Sequence, residues 1–130
     1  MNAKLITFLF SGILFSSFAL AADAPFKNVD VAQFEKLRKN TNAVVLDVRT
    51  KKEFDAGHIP GATNIDVNAP DFEQKVSKLD KNKTYLVHCA AGKRSAKAAD
   101  RMAELKFRDL VNLEGGYTEW QKAGNQGKKE

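Results

Sequence analysis

The protein has 130 residues, enough for one domain with its own core and too few for two ordinary domains. Its 43% hydrophobic and 28% charged residues are typical of a folded globular chain and exclude a disordered one. One cysteine excludes an intrachain disulfide and a cysteine-based zinc site, and with only two histidines we expect no metal and no cofactor. The net charge is +5, but the sequence has no run of basic residues interleaved with aromatic residues, the pattern typical of nucleic-acid binding. We therefore expect no nucleic-acid partner.

Residues 1–21 have the three-part pattern of a secretory signal peptide. Lys4 supplies one positive charge, residues 5–20 are almost wholly apolar, and Ala19 and Ala21 are the small residues of a cleavage site. The alternative is an uncleaved membrane anchor, for which the apolar stretch is shorter than the roughly 20 residues of a membrane span. We therefore expect cleavage after Ala21, export to a bacterial periplasm, and no stable membrane association of the mature protein.

Helix and strand patterns then alternate along the chain. We expect a linker over 22–27, one domain over 28–123 and a polar, frayed tail over 124–130. The predicted elements are, in order, a helix at 31–38, a strand at 43–48, a short helix at 51–55, a strand at 64–67, a helix at 72–79, a strand at 84–89, a helix at 95–106, a strand at 110–113 and a helix at 116–120. The strands at 43–48 and 84–89 are continuous apolar runs, so the fold class is α/β with a mostly parallel sheet.

The segment that carries chemistry is CAAGKRS, residues 89–95. A predicted buried strand delivers Cys89 to its carboxyl end, where functional groups collect in such sheets. Small residues follow, whose backbone N–H groups can curl inward as an anion-binding nest, and a helix amino terminus comes next. Lys93 and Arg94 add positive charge, so we expect a thiol pKa below the free value of about 8.5. The alternative is a structural core cysteine.

The segment CAAGKRS resembles the active-site loop of the rhodanese family of sulfurtransferases, C-x-x-G-x-R-S. Three further segments resemble family motifs in the same order: LDVR at 46–49, GHIPGA at 57–62 and LEGG at 113–116. The resemblance implies a single domain with a five-stranded, mostly parallel sheet flanked by helices on both faces. It also implies that Cys89 takes sulfur from a donor such as thiosulfate as a persulfide and passes it to cyanide or a thiol. The substrate would lie against Ala90, Ala91, Gly92, Lys93, Arg94 and Ser95.

Other polar residues near the predicted site are given structural roles. His88 adjoins Cys89, but neighbouring side chains on a strand point to opposite faces, so no Cys–His pair is expected. His58 lies in a turn and is expected to hydrogen-bond within the fold. Asp47, Arg49 and Glu53 are expected to form a local ion pair, with Asp47 and Arg49 supporting the loop that holds Cys89.

Four functions remain open at this point. The first is a sulfurtransferase with a small-molecule donor and acceptor, and the second is a periplasmic persulfide carrier that serves an acceptor protein we cannot name. A phosphatase or arsenate reductase is disfavoured because those enzymes use C-x5-R, whereas four residues separate Cys89 from Arg94. A non-catalytic binding module is disfavoured by the presence of Cys89 itself.

Overall fold

The computed structural model describes residues 24–130, and the predicted signal peptide lies outside them. The elements are β1 (Lys27–Val29), α1 (Val31–Arg38), β2 (Ala43–Asp47), α2 (Lys51–Ala56), β3 (Thr63–Asn64), α3 (Phe72–Val76), β4 (Thr84–His88), α4 (Lys93–Glu104), β5 (Asp109–Leu113) and α5 (Gly116–Lys122). None of the described helices is long and apolar enough to cross a membrane.

The five strands form one sheet in the order β1-β5-β4-β2-β3, and all four pairings are parallel. This confirms the α/β class and the five-stranded sheet. Strand β4 lies at the centre, and its register with β2 runs from Ala43 opposite Thr84 to Asp47 opposite His88. The carboxyl ends of the two strands are therefore level, so the residues that follow them meet at one edge of the sheet.

Helices cover both faces of the sheet, as predicted. Phe72 of α3 and Met102 of α4 pack on one face, and Phe34 of α1 and Trp120 of α5 pack on the other. All four side chains are almost completely buried. Burial of large apolar side chains on both faces is the main force holding such a sheet between its helices.

The structure differs from the sequence-based expectation at several boundaries: α3 ends at Val76 instead of residue 79, and α4 begins at Lys93 instead of residue 95. Strand β1 begins at Lys27, inside the predicted linker, and pairs with β5. Strand β3 ends at Asn64 instead of residue 67, although the N–H groups of Ile65 and Val67 still donate to the carbonyls of Asp47 and Val48. The tail is not frayed: Lys128 exchanges two backbone hydrogen bonds with His58, at 2.8 and 2.9 Å.

Candidate active site

Cys89 follows β4 directly, at the carboxyl edge of the sheet. Its Sγ accepts a hydrogen bond from the Gly92 N–H at 3.0 Å, and the Ser95 hydroxyl lies 3.4 Å away. Gly92 has a φ of 103°, a backbone conformation that only glycine adopts readily. This conformation turns the loop back toward Cys89. The chain between the cysteine and α4 therefore forms a small ring around the sulfur.

The surroundings of Cys89 favour its thiolate. Burial raises the pKa of the thiol, because a charge is poorly solvated there, and the residue is only 1% exposed. The Ser95 hydroxyl and the backbone N–H groups of Ser95, Gly92 and Ala91 act in the opposite direction and outweigh burial. The net result is a Cys89 pKa below that of an ordinary thiol, which increases the fraction of the nucleophilic form.

The first turn of α5 packs against the loop and binds its backbone carbonyls. The N–H groups of Tyr117 and Thr118 donate to the carbonyls of Cys89 and Ala90 at 2.8 and 3.1 Å. A Cβ on Gly116 would lie 2.5 Å from the Cys89 carbonyl oxygen, so only glycine permits this approach. Sequence reasoning did not assign this role to Gly116, although the paired glycines of the LEGG segment were a visible signal.

Arg94, predicted to add positive charge near the sulfur, forms an ion pair across the site. Its two terminal nitrogens bind the carboxylate of Glu53 at 2.7 and 3.0 Å. This pairing holds the pKa of Glu53 at about 2, and it raises that of Arg94. The charge of Arg94 is thus largely compensated, although the Cys89 thiolate is close enough to raise the Arg94 pKa further. Lys93 is exposed at the start of α4.

Asp47 and Arg49 form the predicted ion pair, buried at the end of β2, but Glu53 is not part of it. The Arg49 guanidinium donates to Asp47 at 2.8 Å and to the Gly57 carbonyl at 2.7 Å, and it lies 4.3 Å from the centre of the Tyr117 ring. Glu53 instead binds Arg94 on α4. Arg49 lies on the ring of Tyr117, whose N–H donates to the Cys89 carbonyl, and Asp47 lies 3.6 Å from the ring of His88, the residue before Cys89.

Both histidine rings pack against aromatic side chains and contact backbone carbonyl oxygens. The His88 ring lies against Phe34 and Tyr117, on the opposite face of the sheet from the cluster that contains Cys89. Its Nδ1 contacts the Cys89 carbonyl oxygen at 3.1 Å, and burial lowers its pKa. His58 stacks on Phe54, and its Nδ1 contacts the Phe54 carbonyl at 2.9 Å. The expected absence of a Cys–His pair agrees with this geometry.

Residues 24–130 contain no cluster of three or more His, Cys, Asp or Glu side chains able to hold a metal ion. The rhodanese-like domain family matches residues 30–123, most of the described chain. The chain belongs to the rhodanese family. Cys89 lies within the matched residues, directly after the central strand β4.

Comparison with known proteins agrees with that assignment. The chain is 30% identical over 98 residues to "Thiosulfate sulfurtransferase GlpE" of Shewanella oneidensis, and the match covers 75% of this chain and 95% of that protein. It is 34% identical over 97 residues to "tRNA uridine(34) hydroxylase" of Cytophaga hutchinsonii, of which it spans 31%. A rhodanese-related protein from Thermoplasma volcanium superposes with a TM-score of 0.72 at 30% identity, covering 81% of this chain and 100% of that one. The relatives support a sulfurtransferase of the rhodanese type.

Proposed function

We propose that this rhodanese moves sulfane sulfur from thiosulfate, or a related donor, to a thiophilic acceptor such as cyanide or a thiol, through a persulfide on Cys89. The observation that carries the proposal is the pair of donors around Sγ. The Gly92 N–H lies at 3.0 Å, and the Ser95 hydroxyl lies 3.4 Å from Sγ and 3.0 Å from the Gly92 carbonyl oxygen, so its one proton is shared between them. A ring of neutral donors stabilises a sulfur anion without a formal positive charge, and it can do so for both the thiolate and the persulfide.

Neither of the two proposed sulfur-transfer steps requires a cofactor, an oxidant or a reductant. The Cys89 thiolate attacks the outer sulfur of thiosulfate, an Sγ–S bond forms, and the bond to the sulfonate sulfur breaks with its electron pair leaving as sulfite. The acceptor then attacks the outer sulfur of the persulfide, and Sγ leaves as a thiolate. Sulfite is a good leaving group, so the first step requires no general acid. Two steps through a covalent intermediate predict ping-pong kinetics.

The test is formation of thiocyanate from thiosulfate and cyanide by the wild-type protein and by Cys89→Ser. We expect parallel lines in double-reciprocal plots for the wild type and no turnover above background for the variant. Intersecting lines, or turnover that survives in Cys89→Ser, would contradict a persulfide intermediate on Cys89.

The burial of Cys89 favours one alternative, a persulfide carrier that serves an acceptor protein without fast turnover on thiosulfate. A thiol that is 1% exposed shields a bound sulfur from small reductants as well as from small substrates. Rapid formation of the persulfide combined with slow release to cyanide would favour the carrier. Fast release to cyanide would favour the enzyme.

We also propose that the protein is exported and acts in the periplasm. The support is the signal-peptide pattern of residues 1–21. In such an oxidising compartment an unpaired cysteine has to be buried or used, and Cys89 is buried. Expression of the full chain in a bacterium should give a periplasmic protein whose amino terminus is Ala22. A full-length product retained in the membrane fraction would contradict export as a cleaved protein.

A further inference from the structure

A groove of about 360 Å³ lies between α2 and α5 and reaches the active-site loop at Ala90. Two larger cavities in the described part of the chain, of about 640 and 630 Å³, are lined by residues outside 89–95. The groove is lined by residues of both helices, of β2's carboxyl end and of the loop: Arg49, Glu53, Ala56, Gly57, Ala90, Tyr117, Thr118 and Gln121. Its size falls within the range of small-molecule sites.

The charged groups that line this groove are already paired within the protein. The Glu53 carboxylate binds Arg94 through both oxygens. The Arg49 guanidinium is held by Asp47 and is only 4% exposed. A ligand with a net charge would therefore find no free counter-charge among these groups, and it would lose hydration without replacement.

The remaining lining groups are neutral. Thr118 and Gln121 are exposed on α5 and present a hydroxyl and a carboxamide, and Ala56 and Ala90 present methyl groups. A carboxamide and a hydroxyl both donate and accept hydrogen bonds, which matches the pattern of a peptide group. The methyl groups of Ala56 and Ala90 can contact the short methylene segments that lie between the amide groups of a peptide-like ligand.

We propose that the groove between α2 and α5 binds the body of an organic thiol acceptor whose substituents are uncharged, peptide-like amides. This inference rests on the proposed sulfurtransferase function and names the acceptor class for the same site. The acceptor thiolate attacks the outer sulfur of the Cys89 persulfide, a new S–S bond forms on the acceptor, and Sγ leaves as a thiolate. The acceptor departs as an organic persulfide, so no additional oxidant or reductant is required.

The experiment begins with protein loaded from thiosulfate and freed of excess donor. The rate of loss of the added mass of about 32 Da is then measured with N-acetylcysteine amide, with N-acetylcysteine and with cyanide, the thiols being compared at equal thiolate concentration. We expect the amide to react faster than the acid, which adds a carboxylate. In Gln121→Trp, we expect the rate ratio of the amide to cyanide to fall about tenfold, because the indole fills the groove.

Lys122→Trp is the matched control, since Lys122 neighbours Gln121 on α5 but lines the cavity next to α1. We expect its rate ratio to equal that of the wild type. An unchanged ratio in Gln121→Trp, or equal rates for the amide and the acid, would overturn the groove as the acceptor site. If neither thiosulfate nor an organic persulfide adds a sulfur before any acceptor is present, that result would instead contradict the sulfurtransferase function, and the acceptor site with it.

Discussion

At the scale of single residues, the reactivity of Cys89 depends on hydrogen-bond donors more than on neighbouring cations. The donors with the largest effect on its pKa are the Ser95 hydroxyl and the N–H groups of Ser95, Gly92 and Ala91. Arg94, which the sequence places five positions from Cys89, has its charge compensated by Glu53. Donors fixed by the backbone keep their positions when the sulfur changes from thiolate to persulfide.

Removal of the Ser95 hydroxyl should raise the pKa of Cys89. Ser95→Ala deletes the side-chain donor 3.4 Å from Sγ, while burial continues to penalise the thiolate. The rate of alkylation by iodoacetamide, measured against pH, should therefore rise with a midpoint at higher pH than in the wild type. Ser77→Ala removes an exposed hydroxyl that bonds only the Gln74 carbonyl and is the control. Equal midpoints in Ser95→Ala and the wild type would contradict this account.

Gly116 should be required for the geometry of the loop. In Gly116→Ala, the added Cβ would lie 2.5 Å from the Cys89 carbonyl oxygen and 2.7 Å from the Ala90 carbonyl carbon. A displacement of the nucleophile by about 1 Å can cost roughly 100-fold in rate, and we expect a loss of that order in persulfide formation. Gly61→Ala is the matched control, because Gly61 also has a positive φ, of 81°, but open space around it. If both variants lost the same activity, backbone strain would explain the effect and contact with the loop would not.

At the scale of secondary-structure elements, the ion pair between Glu53 and Arg94 joins α2 to α4. The two residues are 41 positions apart, and both lie close to the amino termini of their helices. Glu53 is also the N3 residue of the α2 capping box with Thr50. One carboxylate therefore caps one helix and binds the other, so the beginning of α4 and the loop before it are tied to α2.

Glu53→Gln should destabilise the fold at neutral pH and have little effect in acid. The pKa of Glu53 is about 2 in the folded protein, below its ordinary 4.5, so the carboxylate stabilises the fold above about pH 4.5 and loses that contribution as the pH falls toward 2. Since the pair is partly exposed, we expect a loss of about 1 kcal/mol at pH 7 in denaturant unfolding. Asp55→Asn, which breaks the exposed pair with Lys51, should cost less. A Glu53→Gln effect independent of pH would contradict this role.

The elements recovered from sequence were those with strong local patterns. Two continuous apolar runs predicted β2 and β4, and the helix predicted at 31–38 is α1, whose start is capped by Asp30. Strand β1 was not predicted because it has only three residues and one buried side chain, too few to show the alternation of apolar and polar residues that is typical of a strand. The Glu53–Arg94 pair was missed because its partners are distant in sequence and meet only when α2 and α4 are in place. Local sequence patterns therefore predicted that Cys89 lies at the end of a strand. The contacts that hold the loop around it could not be predicted, because they form only in the tertiary structure.

At the scale of the whole molecule, the C-terminal tail packs across the end of α2 and over Tyr117. The two hydrogen bonds between Lys128 and His58, and a third from the Glu130 N–H to the Asp55 carbonyl, fix it across the end of α2. A Cβ on Gly127 would lie 1.9 Å from the Tyr117 hydroxyl oxygen, so the tail passes directly over that side chain. Tyr117 in turn donates its N–H to the Cys89 carbonyl.

Deletion of residues 126–130 should therefore lower both stability and activity. Three backbone hydrogen bonds are lost, and at about 1 kcal/mol each this corresponds to roughly 3 kcal/mol in denaturant unfolding. Persulfide formation should slow as well, because Tyr117 loses a neighbour. Lys129→Ala leaves those backbone bonds in place and is the control. A truncated protein as stable as the wild type would show that the tail contributes nothing to the fold.

The most direct test of the central claim is the intact mass of the protein after incubation with thiosulfate, for the wild type and for Cys89→Ser. We predict a gain of one sulfur atom, about 32 Da, in the wild type, its removal by cyanide, and no gain in the variant. No gain from thiosulfate or from any other sulfane donor, or an equal gain in Cys89→Ser, would contradict a sulfurtransferase mechanism through Cys89.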